Sequence, residues 1–231
     1  EKSMGDLAEE LMSQLETKIS FTIPVFGGIP VPVSVVVTWG IMAFLMILTL
    51  VFVRNLKMVP TKSQIYVETL VGFINHFFED ILGEEGKRYI PYLGTVIIYI
   101  ACANVIGILG ITPPTKDLNV TAALAIMSIL LIEYSGIHAK GIKGYFKAFA
   151  EPMALLAPIN ILEIFIRPLS LCMRLFGNVL GSFVVMELIK IVAPAIIPIP
   201  LSFYFDIFDG LIQAYVFVFL TALFIKEKTE D

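Results

Sequence analysis

The chain has 231 residues, 58% of them hydrophobic and only 16% charged, with a mean hydropathy of +0.88, which is incompatible with the charged surface of a soluble globular domain. Its net charge of -4 and pI near 5.3 provide no basic footprint, which excludes nucleic acid as a partner. Composition points instead to an all-α polytopic membrane protein.

Taken in chain order, residues 1–18 carry Met4, Leu7, Leu11 and Leu15 at helical spacing among acids, the pattern of a short amphipathic helix lying on a membrane surface or a partner. Residues 19–53 contain no charge, but Pro24, Gly27, Gly28, Pro30 and Pro32 break the first part and leave 33–53 as the first span. Residues 61–82 place Val67, Leu70, Val71, Ile74, Phe77, Phe78 and Ile81 on one face, which predicts an interfacial helix. Residues 89–111, ended by Pro113 and Pro114, and 120–139, with Glu133 and His138 near the end, form a hairpin of spans. Residues 152–193, at about 1.5 Å per residue, would extend roughly 63 Å, about twice a 30 Å hydrocarbon core, so steep tilt is expected. Pro194, Pro198 and Pro200 mark a turn before a second tilted helix, 202–225, and a charged tail. About five membrane-inserted helices, two of them long and tilted, thus make one membrane domain over 1–231. Cys102 and Cys172 sit alone in apolar runs and read as packing residues.

With 152–193 taken as one crossing, Arg54, Lys57, Lys62, Lys87, Arg88, Lys140, Lys143, Lys147, Lys226 and Lys228 fall on one side, against Lys2, Lys18 and Lys116 on the other. The positive-inside rule then puts the C-terminus in the cytoplasm and the N-terminus outside.

The charges inside the spans carry the functional signal. Arg174 lies in an apolar helix, where a permanent cation costs about 2.5 to 3.5 kcal/mol on insertion scales and so needs a partner or a task. At about 100° per residue, Glu163, Arg167, Asn178 and Gly181 all lie within about 40° of Arg174 around the helix. Glu163 and Arg167 stand at the favourable i, i+4 spacing, which gives Arg167 an internal partner and leaves Arg174 for one from elsewhere. Gly177 and Gly181 form a small-xxx-small pair that lets another helix come close. Glu187 points about 140° away, toward another helix or an aqueous cavity. Asp206, Asp209 and Gln213 share a helical face at spacings of seven and four, and intramembrane acids mark water-filled ion paths. Plainer readings stand beside these: Arg174 as a structural cation, the glycines as ordinary packing, Glu163 as a mere counter-ion, and Asp206 and Asp209 as helix-entry caps.

The run Arg167-Pro168-Leu169-Ser170-Leu171-Cys172-Met173-Arg174-Leu175-Phe176-Gly177-Asn178, with Gln213-Ala214-Tyr215-Val216-Phe217 and the segment from Pro114 to Thr121, closely resembles subunit a of F-type ATP synthases. The likeness runs from about residue 33 to 225. It implies a non-catalytic stator subunit of a bacterial plasma membrane, whose two tilted helices lie against a ring of c subunits. The implied partners are that ring, the b subunits of the peripheral stalk and, through the complex, the F1 ATPase. The resemblance further implies two half-channels for H+ or Na+, separated by Arg174, with no cofactor. Asn178 and Gln213 would orient the arginine, and Ser170, Gly177 and Gly181 would meet the ring. Where some bacterial members carry a Glu and a His, this chain has Phe183 and Asp206, so Glu187, Asp206 and Asp209 are the expected outer-channel substitutes. The competing class is a self-sufficient secondary transporter or channel, which often shows paired halves with broken helices; no such pairing is visible.

Overall fold

Asp117 and Asn104 organise the middle of the fold. A computed structural model describes residues 19–23, 29–53, 62–148, 157–192 and 198–229. Asp117 caps the backbone N–H of Asn119 at 2.9 Å and accepts a bond from Ser34 at 2.5 Å, fixing the start of one span against another. Asn104, buried at 3% exposure, donates to the Gly210 carbonyl at 2.9 Å and accepts from Thr115 at 2.7 Å. An amide in hydrocarbon is tolerated only when its donors and acceptors are met in this way.

Five helices among the described residues are long and apolar enough to cross a membrane: Val33–Val53, Lys87–Leu109, Leu118–Ile142, Pro158–Lys190 and Pro198–Thr229. The all-α polytopic expectation holds, with one small addition. Ile19–Ile23 (β1) pairs antiparallel with Ile29–Pro32 (β2), where Pro and Gly were expected only to interrupt the first span. The amphipathic segment expected at 1–18 lies outside the described residues.

Helix α1, Val33–Val53, buries only Ile41 and touches the bundle through bonds such as Thr38 to Tyr99 at 3.1 Å. Helix α2, Lys62–Gly86, is expected to be interfacial; its C-terminal half nonetheless enters the bundle, with Phe78 and Leu82 in the core and Phe77 5.6 Å from the Tyr215 ring. Tyr66 and Phe73 of the same helix stay exposed, so the helix straddles core and surroundings. Helix α3, Ile90–Val105, and helix α4, Leu118–Ala148, are the two spans expected as a hairpin, but each packs on the last helix more than on the other. Helix α4 reaches beyond the expected end because Gly141, at φ 69°, turns the chain and lets helical residues resume.

Helix α5, Ala157–Val192, runs unbroken through Pro168. Its 36 residues extend about 54 Å, which requires tilt in a core of about 30 Å. The short helix α6, Pro198–Ser202, leads into a π-helical segment, Phe203–Asp209, and then helix α7, Gly210–Thr229. Helix α7 occupies the centre: Phe217, Val218, Ala222 and Ile225 are buried against Leu93 and Ile100 of α3, Ile132 of α4 and Leu171 and Leu175 of α5. Such packing, with interhelical bonds, replaces the hydrophobic drive that lipid does not supply.

At Gly210 an added Cβ would lie 2.9 Å from the Asn104 Cβ, so α3 and α7 meet there only because neither has more bulk. Gly210→Ala should destabilise the protein by about 1 to 3 kcal/mol through overpacking, seen as a lower thermal midpoint in detergent. Gly177→Ala, with nothing within 4 Å of the added atom, should leave the midpoint unchanged or raise it.

Candidate functional site

Helix α5 has two faces with different fates. Leu171, Cys172, Leu175 and Val179 are buried in the bundle, and Thr121 of α4 lies 3.6 Å from the Cys172 sulfur. Ser170, Arg174, Gly177, Asn178 and Gly181 on the opposite side are all exposed. Neither glycine has any heavy atom within 4 Å of where a Cβ would stand, so no part of the described chain covers this strip. Among the described residues Arg174 makes no hydrogen bond or ion pair within the chain. The buried face fixes the helix, and the cation is held outward on a shallow strip of small side chains.

Two polar cavities flank that strip. Toward the C-terminal end of α5 is a cavity of about 350 Å³ whose polar lining includes Asn104, Ser182, Glu187, Lys190, Asp206 and Asp209. Ser182 donates to Asp209 at 3.2 Å, and Lys190 bonds Glu187 at 2.8 Å. Glu187, Asp206 and Asp209 are thus brought together as the sequence suggests. Gln213 is not among the lining residues and is buried at 8% exposure. The π segment lies between Asp206 and Gln213 and changes their angular spacing, while Asp209 and Gln213 keep the i, i+4 spacing of the helix. Gly107 makes room for Asp206, since a Cβ there would stand 2.7 Å from its Oδ1. Among the described residues no three His, Cys, Asp or Glu side chains converge as metal ligands.

At the other end is a cavity of about 200 Å³ lined in part by Lys140, Tyr145, Glu163, Arg167, Glu227 and Lys228. Arg167, 11% exposed, uses one nitrogen, Nη2, to bond Glu163 and Glu227, each at 2.6 Å, and lies 4.8 Å from the Phe224 ring centroid. The i, i+4 pair is present as expected, and the second carboxylate comes from the last turn of α7. Seven residues separate Arg174 from Arg167 and eight separate it from Ser182. At 1.5 Å per residue, the exposed cation is therefore about 10 Å from one polar end and about 12 Å from the other.

Asn178 is exposed beside Arg174, while Gln213 is in the bundle, and no hydrogen bond joins either to the arginine. The chain matches the ATP synthase A chain family over residues 35–226. It belongs to that family. Relatives include an ATP synthase subunit a, sodium ion specific, of Propionigenium modestum, 34% identical over 88% of this chain and 76% of the relative. An ATP synthase subunit a of Moorella thermoacetica is 36% identical over 86% of this chain and 91% of its own. An ATP synthase subunit a 2 of Bradyrhizobium sp. strain BTAi1 is 36% identical over 86% and 89% respectively. As a multi-pass member of the ATP synthase subunit a family, the chain works within a complex of other synthase subunits.

Several groups of the site escape sequence reasoning. Lys190 is legible only as the i+3 neighbour of Glu187, and Asn104 as a lone amide in an apolar span. Glu227 sits in what reads as a charged tail, but the helix continues to Thr229 and carries it to Arg167. Removing both carboxylates in Glu163→Gln with Glu227→Gln should leave a buried guanidinium uncompensated and cost about 3 to 5 kcal/mol. Glu227→Gln alone, at a side chain 58% exposed, should cost about 1 kcal/mol or less. Thermal melts of the two variants in detergent should separate these outcomes.

Proposed function

We propose that this chain is the stator half of the membrane motor, with Arg174 facing the carboxylate that each subunit of a rotating c ring carries at mid-membrane. The observation behind this reading is the position of Arg174: exposed, without a partner among the described residues, on a strip of small residues between two polar cavities. A guanidinium cannot give up its proton, so it stays cationic where an ammonium would shift its pKa. It stabilises a ring carboxylate that has released its ion, and it repels a bound cation that approaches directly.

The two cavities serve as half-channels. The Asp206 cavity opens outside and the Arg167 cavity toward the cytoplasm, in the orientation given by the positive-inside rule. An ion entering one cannot pass the arginine to the other; it loads onto the ring, travels around and leaves by the second. Each unit charge crossing 100 mV releases about 2.3 kcal/mol, and this drop biases rotation. Glu187, Asp206 and Asp209 attract and pass the cation on the outer side. Ser170, Gly177 and Gly181 keep the contact surface shallow, so that ring helices slide past without interlocking. Asn178 lies beside the arginine where it can orient it once the ring is present, and buried Gln213 supports it from α7.

The carried ion is H+ or Na+. The sodium-specific Propionigenium relative shows that a related chain serves Na+, and ATP hydrolysis at alkaline pH with and without Na+ distinguishes the two. The b subunits of the peripheral stalk hold the chain against the ring, and F1 performs the chemistry, so this chain is not itself catalytic and needs no cofactor. It resides in a bacterial plasma membrane with its C-terminus in the cytoplasm.

Two activity measurements test the assignment. Arg174→Ala in the complete synthase should reduce gradient-driven ATP formation to background, and normal ATP formation by this variant would refute the role. Glu187→Gln and Asp206→Asn should each lower coupled transport, and full activity in both would remove the outer cavity from the path.

A further inference from the structure

The three acids of the outer cavity stand in different circumstances. Glu187 is held by the Lys190 ammonium at 2.8 Å, and Asp209 accepts a hydrogen bond from Ser182 at 3.2 Å. Asp206 lines the same cavity, half-buried, and makes no hydrogen bond or ion pair among the described residues. Its carboxylate rests against Gly107, which lies in the short 3-10 helical turn Ile106–Leu109 that follows α3. A Cβ on Gly107 would stand 2.7 Å from Oδ1, 3.0 Å from Cγ and 3.4 Å from Oδ2 of Asp206, so the whole carboxylate occupies the place a side chain would take.

Backbone geometry does not account for a glycine at this position. The left-handed residue of the turn is Gly110, at φ 74°, and Gly107 is not among the glycines with positive φ. What its bare backbone provides is room. Asn104, one turn earlier, donates to the Gly210 carbonyl at 2.9 Å and so clips the end of the π segment that carries Asp206 to the same stretch of backbone. The segment thus brings Asp206 onto Gly107 from one side, and the cavity of about 350 Å³ bounds both residues on the other. A carboxylate without a partner is costly away from water, and a polar cavity of this size has room for the water that solvates it.

We infer that Gly107 is a positioning residue of the outer half-channel, whose missing side chain seats the Asp206 carboxylate at the cavity as the acid open to the incoming cation. The inference rests on the half-channel reading above and divides its labour, since Glu187 and Asp209 are already engaged by Lys190 and Ser182. The polar groups that share the cavity with Asp206 are Asn104 of α3, Ser182, Glu187 and Lys190 of α5, and Asp209 of the π segment. Lys190 is the cation among them, and Glu187 holds it. If the cargo is a proton, an O–H bond forms on Asp206 as one breaks in a cavity hydronium, and the reverse transfer returns the proton to water. If the cargo is Na+, a carboxylate oxygen replaces one water of its shell.

The test uses the complete synthase in inside-out vesicles, whose lumen corresponds to the outer side, with Arg174→Ala alongside. ATP formation is measured against the lumenal concentration of protons and, separately, of Na+. Gly107→Ala displaces the carboxylate from its seat, so the concentration of the transported ion that gives half-maximal ATP formation should rise about two- to fivefold, the range of a partly exposed charge contact. The maximal rate and the thermal midpoint should stay near wild type, because the displaced group is the free end of a side chain. In an Asp206→Ser background there is no carboxylate to displace, and Gly107→Ala should leave the half-maximal concentration where Asp206→Ser alone puts it. An unchanged or lower half-maximal concentration in Gly107→Ala, or an equal rise in the Asp206→Ser background, would overturn the inference while leaving the Arg174 assignment intact. Should Gly107→Ala fail to assemble, Asp206→Glu decides, since its extra methylene carries the charge past the same seat: a raised half-maximal concentration upholds the inference and an unchanged one overturns it. Normal ATP formation in Arg174→Ala would instead defeat the half-channel reading itself.

Discussion

A guanidinium held in an apolar helix with no counter-charge among the described residues is the constraint from which the rest of this structure takes its shape. The cost of such a group in hydrocarbon is several kcal/mol, and no counter-charge among the described residues offsets it. Leu171, Cys172, Leu175 and Val179 anchor the opposite face of α5, so the helix cannot rotate to bury the charge. Arg167 shows the alternative that was open to the fold: one helical stripe and seven residues away, a second arginine is enclosed by two carboxylates and an aromatic ring. The two arginines thus differ in environment: one is paired within the chain, and the other has no partner among the described residues.

The long helices are arranged to keep that contrast stable. Helices α5 and α7 both lie on α4 and are linked to each other by polar contacts near their ends, Arg167 to Glu227 and Ser182 to Asp209. Between those links Ser170, Gly177 and Gly181 leave the strip around Arg174 shallow, with Met173 exposed beside it. The π segment before α7 serves the same end. It lets Asp206 and Asp209 face the cavity while Gln213 and the remainder of α7 return to core packing. Asn104 secures the junction by bonding the Gly210 carbonyl where the segment ends. Insertions of this kind occur often at functional sites because they re-aim side chains without breaking the helix.

Much of this is legible in the residues. Span lengths follow from apolar runs, and the Glu163 to Arg167 pair follows from spacing. The outward strip of Ser170, Arg174, Gly177 and Gly181 follows from helical periodicity, because one turn geometry governs all of them. What periodicity cannot carry is any change of geometry. The π segment alters the spacing from Asp206 onward, and the Gly141 turn produces the contact between Tyr145 and Glu133. The helix also continued past residue 225, which brought Glu227 to Arg167. Asn104 was hidden for a different reason: a single amide has no pattern, and its partners Thr115 and Gly210 are distant or featureless in sequence. The β1–β2 pairing is local in sequence, but the Pro and Gly content of the segment obscures it.

The most direct measurement of the central claim is disulfide cross-linking in the assembled synthase. Cysteines would replace Ser170, Gly177 and Gly181 on the exposed face of α5, and Leu175 and Val179 on its buried face, each combined with a cysteine on the c subunit one turn from its carboxylate. The account expects cross-links from the first three positions and none from the last two. Cross-links absent from the exposed strip, or formed equally from the buried face, would show that Arg174 does not face the ring.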